Sequence, residues 1–505
     1  MSVAWYSIRP RLGTPPSLLS RHLRPSQRRN GPGTRRSLLT LAIESSCDDS
    51  CVALLDKTPR AASARLLFNK KITSDNRAFQ GVHPLTSVVS HTASLGPLIQ
   101  EALRSLPVAP PVTIGDYNAW RKLLWVDGEV RVKPDFVTVT RGPGMTSNLA
   151  TGLNTAKGLA AAWDVPLLGV NHMQAHALTP RLVSALEGGG NGQAGGEPSP
   201  PPKPEPSPVI TPAYKGGQRP PPPPEEPHSP DFPFLSLLVS GGHTLLVHSR
   251  SLTDHRILAQ AMNIAIGDMI DKCARTVIPP SHLAGLEDVM YGPLLERFAF
   301  PTTGAAAAAG GGVDSEDAYD YTPPPRRADE IKVFDSGRGW TLTPPLSGTT
   351  AMAYDFAGFN SQVQRTVEAH PDMSLEDRRL VAKHAMRLAF EHLVSRLLFV
   401  LKDNPQYADI KTVVVAGGVA SNKYLMHILK RMLEVRGHGH LAVSAPPPAL
   451  CTDNAAMIAW TGMEMYEAGW RSKMDILVMR KWPVDPTAEG GGILGAPGWV
   501  NVKKV

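Results

Sequence analysis

Cysteine is scarce in this chain of 505 residues, which holds four: Cys47, Cys51, Cys273 and Cys451. So few, so far apart, they build no disulfide framework. Cys47 and Cys51 are close, but no second pair stands at zinc-finger spacing, so the sequence predicts reduced thiols in a reducing compartment. Long apolar runs are missing as well. None approaches the roughly 18 residues needed to span a bilayer, so no membrane is expected among the partners. Acidic residues are absent before Glu44, while Arg9, Arg11, Arg21, Arg24, Arg28, Arg29, Arg35 and Arg36 lie there among serines and leucines. This bias predicts a mitochondrial transit peptide over residues 1–37, and hence a matrix protein; a basic arm that binds nucleic acid is the other reading. The net charge of +7 owes much to that end. With 42% hydrophobic residues, the remainder can bury a core in two or more domains, or in one two-lobed enzyme.

What is present begins with Gly169-Val-Asn-His172-Met-Gln-Ala-His176, where an apolar strand turns into a helix. Residues i and i+4 share a helix face, so the two imidazoles can reach one ion while distant chain or ligand completes its shell. Histidines at this spacing also serve as polar surface or as satisfied core groups. A zincin would need glutamate directly after the first histidine as general base; the residue there is Met173.

Two strand, polar turn, strand units stand far apart in the chain. Leu38–Glu44, the acidic turn Ser45-Ser-Cys-Asp-Asp-Ser50 and Cys51–Leu55 form one; Phe234–Val239, Ser240-Gly-Gly-His243 and Thr244–Val247 form the other. The repetition predicts a duplicated α/β architecture with a cleft between lobes and both turns facing one nucleotide. Glycines at the second turn would let backbone N–H groups approach phosphate. Further on, Met386, Phe390, Leu393, Leu397 and Val400 recur at steps of four and three, predicting an amphipathic helix from about 375 to 402. Thr412–Ala416 then reads as a buried strand running into Gly417-Gly-Val-Ala-Ser-Asn422 and another helix, which sets backbone donors at a sheet edge. Asp453 stands near the start of a small-residue helix, where it would be an N-cap or an oxygen ligand joining the two histidines.

These signals divide the chain into the leader, an N-terminal α/β lobe (38–186), a Gly/Pro-rich insertion (187–231), the start of a second α/β lobe (232–300), a low-complexity insertion (301–335), the remainder of the second lobe (336–485) and a tail (486–505). Both insertions are expected at the surface; proline motifs that bind a partner are the alternative.

Seven motifs occur in order: Ile43-Glu-Ser-Ser-Cys-Asp-Asp49, Val139-Thr-Arg-Gly-Pro-Gly144, Asn171-His-Met-Gln-Ala-His176, Leu238-Val-Ser-Gly-Gly-His-Thr244, Ile266-Gly-Asp-Met-Ile-Asp-Lys272, Ala416-Gly-Gly-Val-Ala-Ser-Asn422 and Cys451-Thr-Asp-Asn454. With them the chain resembles the tRNA N6-adenosine threonylcarbamoyltransferases, and with its leader their mitochondrial branch. The resemblance implies two duplicated ribonuclease-H-like lobes of the actin, sugar-kinase and chaperone ATPase type. It implies transfer of a threonylcarbamoyl group from threonylcarbamoyl-AMP to N6 of the adenosine 3′ of the anticodon, in tRNAs reading codons that begin with A. It further implies one divalent metal ion (zinc, iron or magnesium) on His172, His176 and Asp453, and a homodimer. Leu238, Val239, Ser240, Gly241 and Gly242, with Asp271, Gly292, Ser421 and Asn422, would contact the adenylate, and Asp48 would assist removal of the N6 proton.

The chain departs from the family pattern in places. Gly81-Val-His-Pro-Leu-Thr-Ser-Val-Val-Ser-His91 keeps a proline and a last histidine but lacks an acid and an arginine, Tyr291-Gly292 replaces paired glycines, and Phe356-Ala-Gly358 replaces Phe-Ser-Gly. The stretch around Trp120 and Trp125 is longer than expected. A sugar or acyl-phosphate kinase would share the fold, but phosphoryl transfer with magnesium has no need of the histidine pair. A nucleotide-gated scaffold without catalysis is the non-enzymatic alternative.

Overall fold

The computed structural model describes residues 37–503 apart from 60, 77–78, 80, 112–115, 189–227, 284–290, 302–318 and 403. The expected transit peptide up to residue 36, most of the 187–231 insertion and 302–318 of the second insertion lie outside the described residues.

Strand β1 (Leu38–Glu44) is apolar almost throughout because both of its faces are covered. It pairs antiparallel with β2 (Asp49–Lys57), which pairs with β3 (Ala64–Thr73), an edge strand whose lysines face water. The helix Pro84–Arg104 and a small hairpin of β4 (Leu123–Val126) and β5 (Glu129–Val132) follow. That hairpin accounts for the long stretch around Trp120 and Trp125. Next, β6 (Phe136–Gly142) lies parallel to β1, and the helix Thr146–Trp163 crosses over to β7 (Leu167–Asn171), giving the order β3-β2-β1-β6-β7.

The second half repeats this plan. A meander of β8 (Phe234–Val239), β9 (Thr244–Ser251) and β10 (Asp254–Ala261) is followed, past the short strands β11 (Phe334–Asp335), β12 (Thr341–Leu342) and β13 (Ala353–Tyr354), by β14 (Thr412–Ala416) parallel to β8. The helix Lys423–Val435 then leads to β15 (Ala442–Ser444), and the order β10-β9-β8-β14-β15 matches that of the first half. Two equal meander-and-crossover units are the duplicated ribonuclease-H-like lobes expected from the sequence.

Between the two sheets lie the helices His172–Gly188 and Ala455–Glu467. One apolar cluster takes Phe136 and Val170 from the first sheet, Leu238 and Val414 from the second, and Leu178, Met457 and Trp460 from these helices. Arg181 forks onto Glu464 at 2.9 and 3.1 Å, both side chains being buried, and so locks one helix to the other.

Three expectations are corrected. The expected tail (486–505) brings a strand to the first sheet: β16 (Trp470–Ser472) pairs with β7, and β17 (Trp499–Asn501) of the tail pairs with β16. For the same reason the stretch 336–485 is not wholly second lobe, since its end returns to the first. The physical cause is the open edge of β7 and an apolar surface that Ile476, Trp482 and Ile493 fill. Residues 319–335 are packed rather than looped out: Tyr319 is 2% exposed and sits between Phe300 and Tyr424, and buried Glu330 pairs with Arg327 and Arg436. The helix expected from about 375 to 402 is present at Leu375–Leu401, and it is covered well beyond one face, burying Glu391, His392 and Arg396 besides the apolar positions.

Candidate metal centre

The chain reaches its seam at the carboxyl ends of β1, β7 and β8. Glu44 ends β1 and the turn Ser45–Asp48 follows; His172 begins its helix directly after β7. Asp453 precedes the helix Ala455–Glu467, whose N-cap is Asn454, its Oδ1 accepting from the Met457 N–H at 3.0 Å. The capping duty that sequence allowed to Asp453 thus falls on its neighbour. Asp453 is left to turn toward the histidines.

His176 Nε2 is 3.2 Å from His172 Nε2 and 3.1 Å from Asp453 Oδ1, and His172 Nε2 is 3.5 Å from the same oxygen. Ligands about 2.0–2.1 Å from one ion at a tetrahedral angle lie about 3.3 Å apart, so this triangle has the size of three ligand positions around one ion. Behind it, His172 Nδ1 donates to Glu44 Oε2 at 3.0 Å. That bond fixes the tautomer that aims the Nε2 lone pair into the triangle. Glu44 is itself fully buried, accepting from the Ser46 N–H at 2.5 Å and from the Thr140 hydroxyl. Among the described residues, His176 Nδ1 has no partner. The donor set fits a divalent ion, and these three are the residues that could hold it.

Without an ion the cluster holds protons instead. Burial opposes charge on His172, but Glu44 and Asp453 outweigh it and push the imidazole up to about 9. Asp453 is held well below the usual carboxylate range: burial works against this, and His172 and His176 more than offset it.

The second turn faces the same seam. Ser240 Oγ accepts from the His243 N–H at 3.0 Å and the Gly242 N–H at 3.3 Å, and the Gly267 N–H donates to Ser240 O at 3.1 Å. A Cβ at Gly267 would stand 2.7 Å from Gly241 N, so glycine there lets the helix Ile266–Val277 lie directly on the turn. Outside Gly241 and Gly242 there is open space, as a ligand would need. Gly417, at φ +100°, brings the end of β14 against Val239 O. Burial pushes the His243 imidazole down to about 4, with His172 and His176 adding to the effect.

Of the expected site residues, His172, His176 and Asp453 come together. Leu238 and Val239 are buried in β8, and only their backbone leads into the turn. Asp271 accepts from the backbone of Gly292 and Tyr291, which joins two of the expected residues; burial raises its carboxyl to about 6 against the pull of Arg275. Asn422 Oδ1 caps the helix Lys423–Val435 at 2.9 Å from Leu425 N, and Ser421 Oγ donates to Gly418 O at 2.6 Å. Asp48 shares the first turn but is held by Asn76 Nδ2 at 3.2 Å, not by the histidines. His91 pins this turn, accepting from the Ser50 hydroxyl at 2.7 Å and donating to Cys47 O at 2.9 Å, while His83 caps the helix it precedes.

Sequence reasoning missed Glu44 behind His172 and the placing of His243 beside the histidine pair. Glu44 had a readable signal: an acid closing an otherwise apolar, doubly covered strand needs a buried partner.

The family model for tRNA N6-adenosine threonylcarbamoyltransferase matches residues 129–193 and 223–460. A mitochondrial tRNA N6-adenosine threonylcarbamoyltransferase of Schizosaccharomyces pombe is 30% identical over 476 residues, covering 93% of this chain and 90% of the relative. Enzymes of the same name from Novosphingobium aromaticivorans and Paramagnetospirillum magneticum are each 28% identical, covering 90% of this chain and 99% of theirs. The two matched lobes, the histidine pair closed by Asp453 and the near full-length likeness leave one assignment: the chain belongs to the tRNA N6-adenosine threonylcarbamoyltransferase family.

Proposed function

We propose that the protein transfers the threonylcarbamoyl group of threonylcarbamoyl-AMP to N6 of the adenosine 3′ of the anticodon, in mitochondrial tRNAs that read codons beginning with A. The observation that carries this is the His172, His176 and Asp453 triangle, backed by Glu44 and facing the open Ser240–Gly242 turn. In the reaction N6 attacks the carbamoyl carbon, the bond from that carbon to the phosphate oxygen breaks, N6 loses a proton and AMP leaves. A divalent ion bound to the triangle would orient the mixed anhydride and offset charge on the departing phosphate.

The chain's own groups do the rest. The phosphate oxygens settle on the open face of the Ser240–Gly242 turn, to which Leu238 and Val239 lead, and Asp271, presented beside Gly292, takes the ribose hydroxyls. Ser421 and Asn422 border the adenine at the amino end of their helix. Asp48 accepts the N6 proton. Zinc suits two imidazoles and a carboxylate best; iron and magnesium are the other native metals to compare.

The mitochondrial address rests on eight arginines and no acid before Glu44, and on the Schizosaccharomyces pombe relative. A homodimer is supported by Val82, Leu85 and Val89, exposed by 44, 66 and 60%, the last two being one turn apart on the helix Pro84–Arg104. The test is mass spectrometry of nucleosides from tRNA treated with the protein and threonylcarbamoyl-AMP. Modified adenosine is expected with the wild type and none with His172→Ala; wild type that binds metal and adenylate yet leaves the tRNA unmodified would sink the reading.

A further inference from the structure

The substrate just proposed carries two anionic groups, the phosphate and the α-carboxylate of its threonyl half, and any role for the residues around that carboxylate rests on the transferase reading. On that reading an adenylate held by the second-lobe turn would direct its threonyl half across the seam to the first lobe, where the turn between β1 and β2 ends in Asp48 and β2 begins at Asp49. Two carboxylates repel a third, so the threonyl carboxylate needs a cation on this side.

Lys71 supplies one. It stands near the end of β3, opposite Cys51 in the sheet register, and its Nζ is 2.9 Å from Asp49 Oδ2 and 3.1 Å from Thr452 Oγ1. Thr452 adjoins Asp453, and the charge of Lys71 helps hold the Asp453 carboxyl down. An ammonium has three N–H donors. Two are committed and the side chain is 39% exposed, which leaves the third for a ligand at the mouth of the seam. Lysines on an edge strand ordinarily roam in water; this one is held at two points, so little freedom remains to be lost on capture.

We propose that Lys71 recognises the carboxylate of the threonyl group and is a specificity-determining residue, selecting carbamoyl-adenylates built on an amino acid over neutral ones. The alternative is that Lys71 merely ties β3 to the Asp453 segment.

The test compares threonylcarbamoyl-AMP with its threoninamide counterpart, in which a neutral carboxamide replaces the carboxylate, on the full chain with tRNA. The ratio of kcat/KM for the two substrates is the readout, in wild type, Lys71→Met and Lys71→Arg. In parallel, calorimetry without tRNA measures binding of non-reactive forms of both compounds. Wild type should favour the acid about tenfold or more, the strength of a hydrogen bond to a charged group. Lys71→Met should bring the ratio near one through KM, and Lys71→Arg should retain most of it. A Lys71→Met protein that keeps the full preference, or loses both substrates in equal proportion, overturns the proposal, as does a wild type with no preference. Should wild type transfer neither compound, the transferase reading fails, and the calorimetric ratio still decides the role of Lys71.

Discussion

Glu44→Gln is the most informative single change, because Glu44 stands behind the triangle and reaches it through His172. The carboxylate accepts one bond from His172 Nδ1 at 3.0 Å, one from Ser46 N and one from Thr140. An amide in its place keeps one oxygen for Ser46 and turns an NH2 toward two donors. His172 then loses a charge-assisted bond worth about 1.5–3 kcal/mol and the restraint on its tautomer. Above about pH 9, where most of the His172 ring is neutral, metal affinity should fall about 10- to 100-fold. At pH 7 the loss should be smaller. In wild type the empty site holds a proton on His172 up to about pH 9, so at pH 7 an ion works against that proton. Removing Glu44 removes part of that proton's stabilisation while leaving Asp453's share. The assay is titration of zinc or cobalt against a competing chelator from pH 6 to 9.5, with circular dichroism to establish folding. Equal affinity for both proteins at high pH would refute the claim that Glu44 orients the ligand.

The same geometry sets three further outcomes. In wild type, apparent metal affinity should climb about tenfold per pH unit up to about 9 and then level off, because His172 must shed its proton to coordinate; in the metal-free protein its raised pKa stabilises the fold fully below about pH 6.5, and that contribution fades as pH rises through about 9, which urea melts with and without chelator will register. Gly267→Ala should press a methyl onto Gly241 and cost about 1–3 kcal/mol while raising KM for the adenylate, and an unchanged KM would separate this glycine from the ligand turn. Deleting residues 486–505 removes β17 and buried Ile493 and strips Arg141 of its partner Pro497 O, so stability should drop by more than about 3 kcal/mol; a mere shortening of a loose tail would leave urea melts unmoved.

The elements that sequence revealed best were those whose pattern is local. The two hairpins were legible from apolar runs broken by polar turns, and they pair as Glu44 with Cys51 and Val239 with Thr244. His172 and His176 were legible because helical spacing alone brings them to one face. Asp453 was open to two readings, since a carboxylate before a helix caps as readily as it coordinates; the choice depended on Asn454 taking the cap. Illegible were contacts between residues far apart in the chain. Nothing around residue 470 announces that β16 will cover β7, and nothing on β3 announces that Lys71 will reach Thr452. The extent of burial of Leu375–Leu401 was hidden for a like reason: Tyr321 and the Ala353 carbonyl, distant in the chain, meet its Glu391 and Arg396, so a helix that reads as one-sided is enclosed.

The return of the chain's end to its first sheet bears on how the molecule comes into being. A ribosome releases Glu44, His172 and His176 early, but Asp453 and the helix that packs on β1 come only with residues 453–467, and β7 keeps a bare edge until residue 472 is out. The first lobe therefore cannot be finished as an independent unit during synthesis, and an ion offered too soon finds two imidazoles without Asp453 to close the triangle. Assembly of the His172, His176 and Asp453 triangle is tied to completion of the polypeptide, so a product truncated before residue 453 would leave the ribosome without it.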